Sequence, residues 1–122
     1  MDNRVRTVIA LMETNLHRKL SAAEMARAVG LSAAHFREVF KRETGTPLMR
    51  YLRRLRMQHA KKLIETTFLS IKEIAARVGL NNISHFVRDF AKAYGRAPTE
   101  HRRIRRRVGY TKDKRGRAKQ NP

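Results

Sequence analysis

Basic side chains are the residues of this sequence that most clearly offer binding chemistry. Lysine and arginine number 29 against 10 aspartate and glutamate residues, and the formal net charge is +19. Ten of the basic residues fall within residues 101–122, where five arginines between Arg102 and Arg107 form a run that could follow a phosphate backbone or enter a minor groove. A charge this high indicates a polyanionic partner. Composition alone does not separate DNA from RNA or from an anionic membrane.

Patterns typical of catalysis and metal binding are missing from the sequence. It contains no cysteine, which excludes disulfides, thiolate metal sites and cysteine nucleophiles. His35 and His85 each precede a phenylalanine, but no carboxylate cluster accompanies them, so we expect no metal site and a structural role for His35. There is no glycine-rich phosphate loop and no carboxylate pair suited to acid–base catalysis. We therefore expect neither an enzyme nor a bound cofactor.

The chain contains one sequence unit twice. Residues 20–31 read LSAAEMARAVGL and residues 69–80 read LSIKEIAARVGL, so that seven of twelve positions are identical at an offset of 49. Further matches follow at an offset of 50, which places one inserted residue in the turn of the second copy, and a proline comes shortly after each copy. Repetition of this kind indicates one supersecondary unit used twice.

Each copy carries the signals of two short helices around a tight turn. A serine can cap the first helix, a glutamate three residues later can complete a capping box, and a glycine can end the helix in left-handed backbone. These residues are Ser21, Glu24 and Gly30 in the first copy and Ser70, Glu73 and Gly79 in the second. A second helix follows at about residues 32–43 and 82–94, and we assign its phenylalanines to the core. The pattern predicts a helix-turn-helix in each copy.

Three further helices are predicted around the two copies. An amphipathic helix opens the chain, an apolar stripe over about residues 47–66 predicts a long helix between the copies, and Pro98 starts a final helix through Ile104. The predicted fold is therefore all-α with about seven helices. Within a domain of residues 1–107, lobe one covers about 3–46, the joining helix about 47–66 and lobe two about 69–105. Residues 108–122 are predicted to form a basic, disordered tail.

The two copies and the joining helix resemble the DNA-binding domain of AraC-type (AraC/XylS) transcription regulators over residues 3–105. The segments RLRMQHAKKL, EIAARVGL and HFVRDFAKAYGRAP carry this resemblance. It implies a homeodomain-like fold in which two helix-turn-helix lobes are joined by a long central helix. It also implies binding to promoters, and the chain length is similar to that of stand-alone MarA/SoxS-like members, which bind as monomers.

The resemblance also implies residue roles. The base-reading positions that it implies are Ala34, Arg37, Glu38, Ser84, His85 and Arg88. An arginine fork can bond both acceptors of guanine, a contact worth about 1–3 kcal/mol of discrimination, so Arg37 and Arg88 are the strongest candidates. Ala34 and Glu38 depart from the stand-alone members, which carry an aromatic and a basic residue there, so we expect a different DNA sequence preference. For His85, a partly buried structural role is the alternative.

Candidates for phosphate contacts follow the second helix of each copy or lie in the arginine run. They are Lys41, Arg42, Lys92, Arg96, Arg102 and Arg103. Such contacts would position the protein on a duplex without reading its sequence. An ordinary solvated surface is the alternative for each of them.

Two functional hypotheses follow from these observations. The first is sequence-specific binding of promoter DNA by a bacterial transcription regulator that recruits or blocks RNA polymerase. At roughly 1.5 Å per residue the joining helix would be about 30 Å long, close to one DNA turn of roughly 34 Å, which predicts two recognition helices in successive major grooves. The alternative is a nucleic-acid packaging or RNA-binding protein that acts through charge alone, with steep salt dependence and no sequence preference.

Location and oligomeric state are expectations of the same reasoning. The sequence has no apolar run of about eighteen residues and no signal-peptide core, so we expect a cytoplasmic, nucleoid-associated protein with no membrane partner. Two reading helices in one chain remove the usual need for a dimer, so we expect a monomer on DNA. Alternatively, the chain is the carboxy-terminal part of a larger regulator with a sensor domain.

Overall fold

The computed structural model describes residues 1–109, with side chains described for residues 1–106. Over that range it contains seven α-helices and no strand, which confirms the predicted all-α fold. The helices are α1 (Asn3–Thr14), α2 (Ala22–Ala28), α3 (Ala33–Thr44), α4 (Leu48–Thr66), α5 (Ile71–Arg77), α6 (Ile83–Tyr94) and α7 (Pro98–Gly109). The predicted disordered tail began at residue 108, but residues 108 and 109 belong to α7, and residues 110–122 lie outside the described residues. None of the seven helices has the length and apolar character needed to cross a membrane.

The helices form two compact units that divide after Met57. The first unit contains α1, α2, α3 and the first half of α4. The second contains the rest of α4 together with α5, α6 and α7. With 19 residues, α4 is the long helix predicted between the two copies.

The core of the first unit consists of apolar residues at helical spacing. On α1, Val5, Val8 and Met12 are fully buried on one face. On α3, Phe36 and Phe40 are fully buried, and their ring centroids lie 5.8 Å apart. Burying a side chain of this size stabilises a fold by about 1.5–3 kcal/mol. The other members of this core are Leu16, Leu20, Ala22, Met25, Ala26, Val39, Leu48 and Leu52.

The second unit repeats this plan with its own residues. Phe86 and Phe90 on α6 are at most 2% exposed, and their ring centroids lie 5.9 Å apart. The Phe90 ring also lies 4.8 Å from Tyr94 and 5.5 Å from His101, measured between ring centroids. The other buried residues of this unit are Ala60, Ile64, Ile74, Ala75, Val78 and Pro98. The prediction that the four phenylalanines belong to the core is confirmed.

The last helix is longer than predicted. Apolar spacing placed its end at Ile104, but α7 continues to Gly109. Arg102 helps to hold it in place, because its Nε donates a hydrogen bond to the Ile64 carbonyl at 3.1 Å and its Nη1 donates to the Leu69 carbonyl. These bonds connect α7 to the end of α4 and to the loop that follows. A search for periodic apolar residues does not detect such contacts.

In each unit an arginine from the last helix reaches the loop before the repeated segment. Arg56 donates from Nη2 to the Arg18 carbonyl at 2.9 Å, and burial lowers the pKa of the Arg56 guanidinium. In the second unit, Arg106 Nη2 lies 3.5 Å from the Thr67 carbonyl, and its guanidinium carbon lies 4.3 Å from the centroid of Phe68. Arg18 and Thr67 are 49 residues apart, which is the offset of the repeat. The contact is therefore duplicated with the sequence.

A carboxylate connects α4 to α7 in the second unit. Glu65 Oε2 lies 2.8 Å from His101 Nε2 and 3.0 Å from Lys61 Nζ. The side chains of Glu65 and His101 are only 17% and 13% exposed. Burial would raise the pKa of the Glu65 carboxyl, but the hydrogen bonds with His101 and Lys61 outweigh it, and the pKa is lowered.

Replacing Glu65 with glutamine is expected to lower the free energy of unfolding by about 1–2 kcal/mol near neutral pH, because hydrogen bonds to a charged group are lost. A carboxyl whose pKa is lowered by folding contributes stability above its unfolded pKa and loses it as the pH falls through the folded value. The difference between wild type and Glu65→Gln should therefore shrink in acid, as measured by circular dichroism melts across that range. Glu13→Gln, at an exposed position on α1, is the control. A pH-independent difference would contradict this interpretation.

Candidate nucleic-acid interface

The turn between the paired helices has the same geometry in both units. In the first unit, the Leu31 amide donates to the Ala26 carbonyl at 3.0 Å and the Gly30 amide donates to the Arg27 carbonyl at 3.1 Å. Gly30 has a φ of 72°, and this combination of bonds and left-handed backbone is a Schellman motif. The same two bonds recur between Leu80 and Ala75 and between Gly79 and Ala76.

The second turn is longer by one residue. Residues 29–32 separate α2 from α3, whereas residues 78–82 separate α5 from α6. The insertion inferred from the change of offset is therefore confirmed. It lies before the cap of α6 and leaves the Schellman motif unchanged.

A side-chain cap sets the first residue of α3 and of α6. Ser32 Oγ accepts from the His35 amide at 3.1 Å, and Asn82 Oδ1 accepts from the His85 amide at 2.9 Å. These bonds satisfy amides that have no partner within the helix. Both helices therefore begin within one residue of the predicted position.

The first helix of each copy, α2 or α5, is capped by its serine as predicted, but only one of the two hydrogen bonds of the capping box forms. Ser21 and Ser70 each accept from the amide of the glutamate three residues later, at 3.0 Å. In the described part of the chain neither glutamate carboxylate returns a bond to the serine amide. Glu24 instead pairs with Arg18 at 2.6 Å, and this ion pair lowers the pKa of its carboxyl.

The α3 helix exposes a polar face opposite its buried phenylalanines. The exposed residues at i, i+3, i+4, i+7 and i+8 are Ala34, Arg37, Glu38, Lys41 and Arg42. Among residues 1–106, the side chains of Arg37 and Glu38 have no hydrogen bond or ion pair. Both groups are therefore available to an external ligand. An arginine and a carboxylate side by side could together donate to and accept from base edges.

The α6 helix exposes a narrower polar face. Ser84, His85, Arg88 and Lys92 are exposed, with Arg88 and Lys92 one turn apart. Neither the Arg88 guanidinium nor the Lys92 ammonium has an ion-pair partner in the described residues. This face can offer a guanidinium, an imidazole and a hydroxyl to a ligand.

Equivalent positions in the two units carry different chemistry. At the offset of 50 residues, Arg88 takes the place of Glu38, so a cation in α6 stands where an anion stands in α3. Arg37 corresponds to Val87, which is half-buried. The backbone is duplicated, but the exposed groups are not.

The predicted phosphate contacts differ in their surroundings. Lys41, Arg42, Lys92 and Arg103 are exposed, and Arg96 is half-buried. Arg102 is half-buried, and burial lowers the pKa of its guanidinium, whose Nη2 has no partner among the described residues. Its bonds to main-chain carbonyls within the second unit were not anticipated from the sequence. A phosphate contact stays a prediction for all six residues.

The two histidines that precede a phenylalanine are exposed on the same faces. His35 and His85 are both exposed, which contradicts the partly buried structural role considered for them. A DNA contact stays a prediction for His85. The described residues contain no group of three or more histidine, aspartate or glutamate side chains arranged to hold a metal ion.

Two units that each contain a helix-turn-helix with a polar face on its second helix define a double helix-turn-helix protein. A family model described as a helix-turn-helix domain matches residues 25–104. A transcriptional regulator with an AraC-type DNA-binding domain from Chromobacterium violaceum is similar in structure, with a TM-score of 0.78, 29% identity, and coverage of 84% of this chain and 92% of that one. The chain belongs to this helix-turn-helix family of AraC-type transcription regulators.

Further relatives agree with this assignment. The DNA-binding domain of AdpA, solved in complex with a target DNA, has a TM-score of 0.81 and 25% identity, and the match covers 86% of this chain and 95% of that one. The transcriptional activator AarP of Providencia stuartii is 30% identical over 80% of this chain and 73% of its own length. The regulator GlxA of Rhizobium meliloti is 34% identical over 84% of this chain but only 31% of its own length. The chain thus spans about a third of the length of several relatives, including RhaR and NphR.

Replacing Gly30 with alanine is expected to destabilise the first unit by about 1–2 kcal/mol, because a side chain disfavours left-handed backbone. A Cβ at Gly30 would have no heavy atom within 4 Å, so the loss would come from backbone strain and not from a clash. Gly30→Asn should lose less stability than Gly30→Ala, since asparagine tolerates left-handed backbone better than alanine does. Urea unfolding of both variants provides the test. Equal losses for alanine and asparagine would contradict the explanation.

Replacing Arg102 with glutamine is expected to lower the free energy of unfolding by about 1–3 kcal/mol, because charged hydrogen bonds to two carbonyls are lost. Arg103→Gln is the matched control, since Arg103 is exposed on the same helix, and its effect should stay within about 0.5 kcal/mol. Urea unfolding of the two variants measures both values. Equal stabilities would show that the bonds made by Arg102 do not hold α7.

Proposed function

We propose that this chain binds double-stranded DNA sequence-specifically as the DNA-binding part of a bacterial transcription regulator. Each unit would place its second helix, α3 or α6, in the major groove. In this role α3 and α6 are the recognition helices. The chain would have no catalytic activity of its own and would act on transcription at promoters in the cytoplasm, through RNA polymerase.

The single observation that carries the proposal is that Arg37 and Arg88 are exposed and have no side-chain partner among residues 1–106. Each lies on a helix whose opposite face is anchored in a core by two phenylalanines. An arginine on a rigid helix can direct its planar fork at guanine O6 and N7, whereas an arginine on a mobile segment contributes mainly charge. In proteins with a helix-turn-helix, the second helix enters the major groove.

Other residues of the exposed faces have roles that follow from their chemistry. On α3, Glu38 could accept a hydrogen bond from the amino group of cytosine, and Ala34 could contact a thymine methyl group. On α6, Ser84 and His85 lie in the first turn, where recognition helices contact base edges. The exposed cations that would bind phosphate are Lys41, Arg42, Lys92 and Arg103, and the half-buried candidates are Arg96 and Arg102.

Known proteins support the same function. The AdpA domain was solved with a target DNA, and the curated relatives are transcriptional regulators or activators by name. Because the chain spans only part of several of these relatives, a larger regulator with a separate sensor domain is consistent with the proposal, as is a stand-alone monomer. Whether the two recognition helices occupy successive grooves stays a prediction of the sequence.

Arg37→Ala and Arg88→Ala are each expected to weaken binding to a selected duplex by about 5- to 150-fold, which corresponds to about 1–3 kcal/mol. The duplex would first be enriched from a random pool with the unaltered chain. Binding to a shuffled duplex should change much less, because the lost contact reads a base. Fluorescence anisotropy titrations on both duplexes measure the two effects.

Arg6→Ala is the control for these variants, because Arg6 is exposed on α1, away from the recognition helices in sequence. It should leave the preference for the selected duplex unchanged. Equal losses on selected and shuffled DNA for both arginine variants would contradict base reading. Failure to enrich any duplex would instead favour binding through charge alone.

A further inference from the structure

The first half of α4 carries a second basic surface that the recognition helices do not account for. Arg50, Arg53 and Arg54 are all exposed. At 3.6 residues per turn they fall within an arc of about 100°, on the side of the helix opposite the buried residues Leu48 and Leu52. We call these three residues the α4 arginine face.

No group within the described part of the chain neutralises the α4 arginine face. Its three guanidinium groups have no hydrogen bond or ion pair among residues 1–106. The sequence contains no acidic residue between Glu43 and Glu65, while six basic residues occur there. The fourth arginine of this stretch, Arg56, differs because it is half-buried and donates to a main-chain carbonyl.

The isolated fold does not benefit from this arrangement. Like charges three and four residues apart disfavour a helix. Arg50 lies in the first turn of α4, where the helix dipole also disfavours a cation. A bound anion would neutralise the cluster and so remove both the mutual repulsion and the unfavourable interaction with the helix dipole. The arrangement is thus suited to a polyanionic ligand and not to the stability of the helix.

The position of the α4 arginine face within the first unit favours the DNA backbone as that ligand. Only three residues separate α3 from α4, and Tyr51 of α4 packs edge-on against Phe40 of α3 with ring centroids 5.1 Å apart. Packed helices have axes about 8–10 Å apart, and the major groove is about 12 Å wide. A helix packed beside a recognition helix therefore comes close to the phosphates that border the groove.

We propose that Arg50, Arg53 and Arg54 bind the phosphate backbone next to the groove occupied by α3, and that they add affinity without sequence preference. This inference rests on the proposed function, because it requires α3 to occupy a groove. It extends the predicted phosphate contacts, all of which lie on α3, α6, α7 or the loop after α6, to a helix with no base-reading role.

The test is the salt dependence of binding by R50Q/R53Q/R54Q. Glutamine has nearly the helix propensity of arginine, so α4 should persist, and circular dichroism checks this. The slope of log K against log salt is negative, and each lost phosphate contact reduces its magnitude by about 0.9. The magnitude should therefore fall by about 2–3 on selected and shuffled duplexes alike. The ratio of the two affinities should stay constant.

Two further variants make the result specific. R6Q/K19Q/R27Q removes the same charge from exposed positions elsewhere in the first unit. The magnitude of its salt slope should fall by less than about 1 relative to the unaltered chain. R50K/R53K/R54K retains the charge and should keep the slope of the unaltered chain. If R50Q/R53Q/R54Q and R6Q/K19Q/R27Q have equal slopes, the α4 arginine face does not bind phosphate. That conclusion would hold even if the face binds an acidic protein. If the unaltered chain binds no duplex, the proposed function itself fails.

Discussion

The burial of two phenylalanines four residues apart on α3, and again on α6, determines how the rest of each unit is arranged. Phe36 and Phe86 lie one turn before Phe40 and Phe90, and all four rings are almost completely removed from solvent. Four residues are slightly more than one helical turn, so both rings of a pair point to the same side. Because the side of each helix that carries the phenylalanines is buried in the core, the opposite side faces solvent. The polar faces of α3 and α6 are thus a consequence of apolar packing.

Capping and turn geometry add the second constraint, which is where along the chain each face begins. The Schellman motif at Gly30 ends α2 abruptly, and Ser32 starts α3 two residues later. If the helix started one residue earlier, its exposed residues would be rotated about the helix axis by about 100° relative to the turn. The inserted residue of the second copy lies before Asn82, so the cap moves with α6 and the phenylalanines still reach the core. The repeat tolerates the insertion because the cap and the apolar pair shift together.

Local signals made the fold and the boundaries of α3 and α6 predictable, because caps, turn glycines and apolar spacing all act within a few residues. Contacts between distant residues were not predictable. Arg102 fixes α7 to carbonyls that lie more than 30 residues earlier. Beyond the predicted end at Ile104, Arg106 makes similarly distant contacts with Thr67 and Phe68. Glu24 was expected to return a bond to the cap of α2, but Arg18 competes for it. Arginines in a basic sequence look alike, and only the fold separates Arg102 from exposed Arg103.

A chain with a net charge of +19 is attracted to any polyanion, so a regulator of this composition has to obtain selectivity from groups other than its surplus cations. Specificity is a difference of affinities, and a group that penalises wrong partners contributes as much as one that rewards the right partner. In this context the exchange of Glu38 for Arg88 at equivalent positions is informative. A carboxylate weakens binding to DNA unless it accepts a hydrogen bond from the amino group of a base. A guanidinium strengthens binding to every duplex, and its contribution to affinity is largest at guanine. Under the proposed function, α6 therefore supplies affinity together with guanine preference. Under the same proposal, α3 combines Arg37 with Glu38, and it would therefore read its bases with less non-specific attraction to DNA.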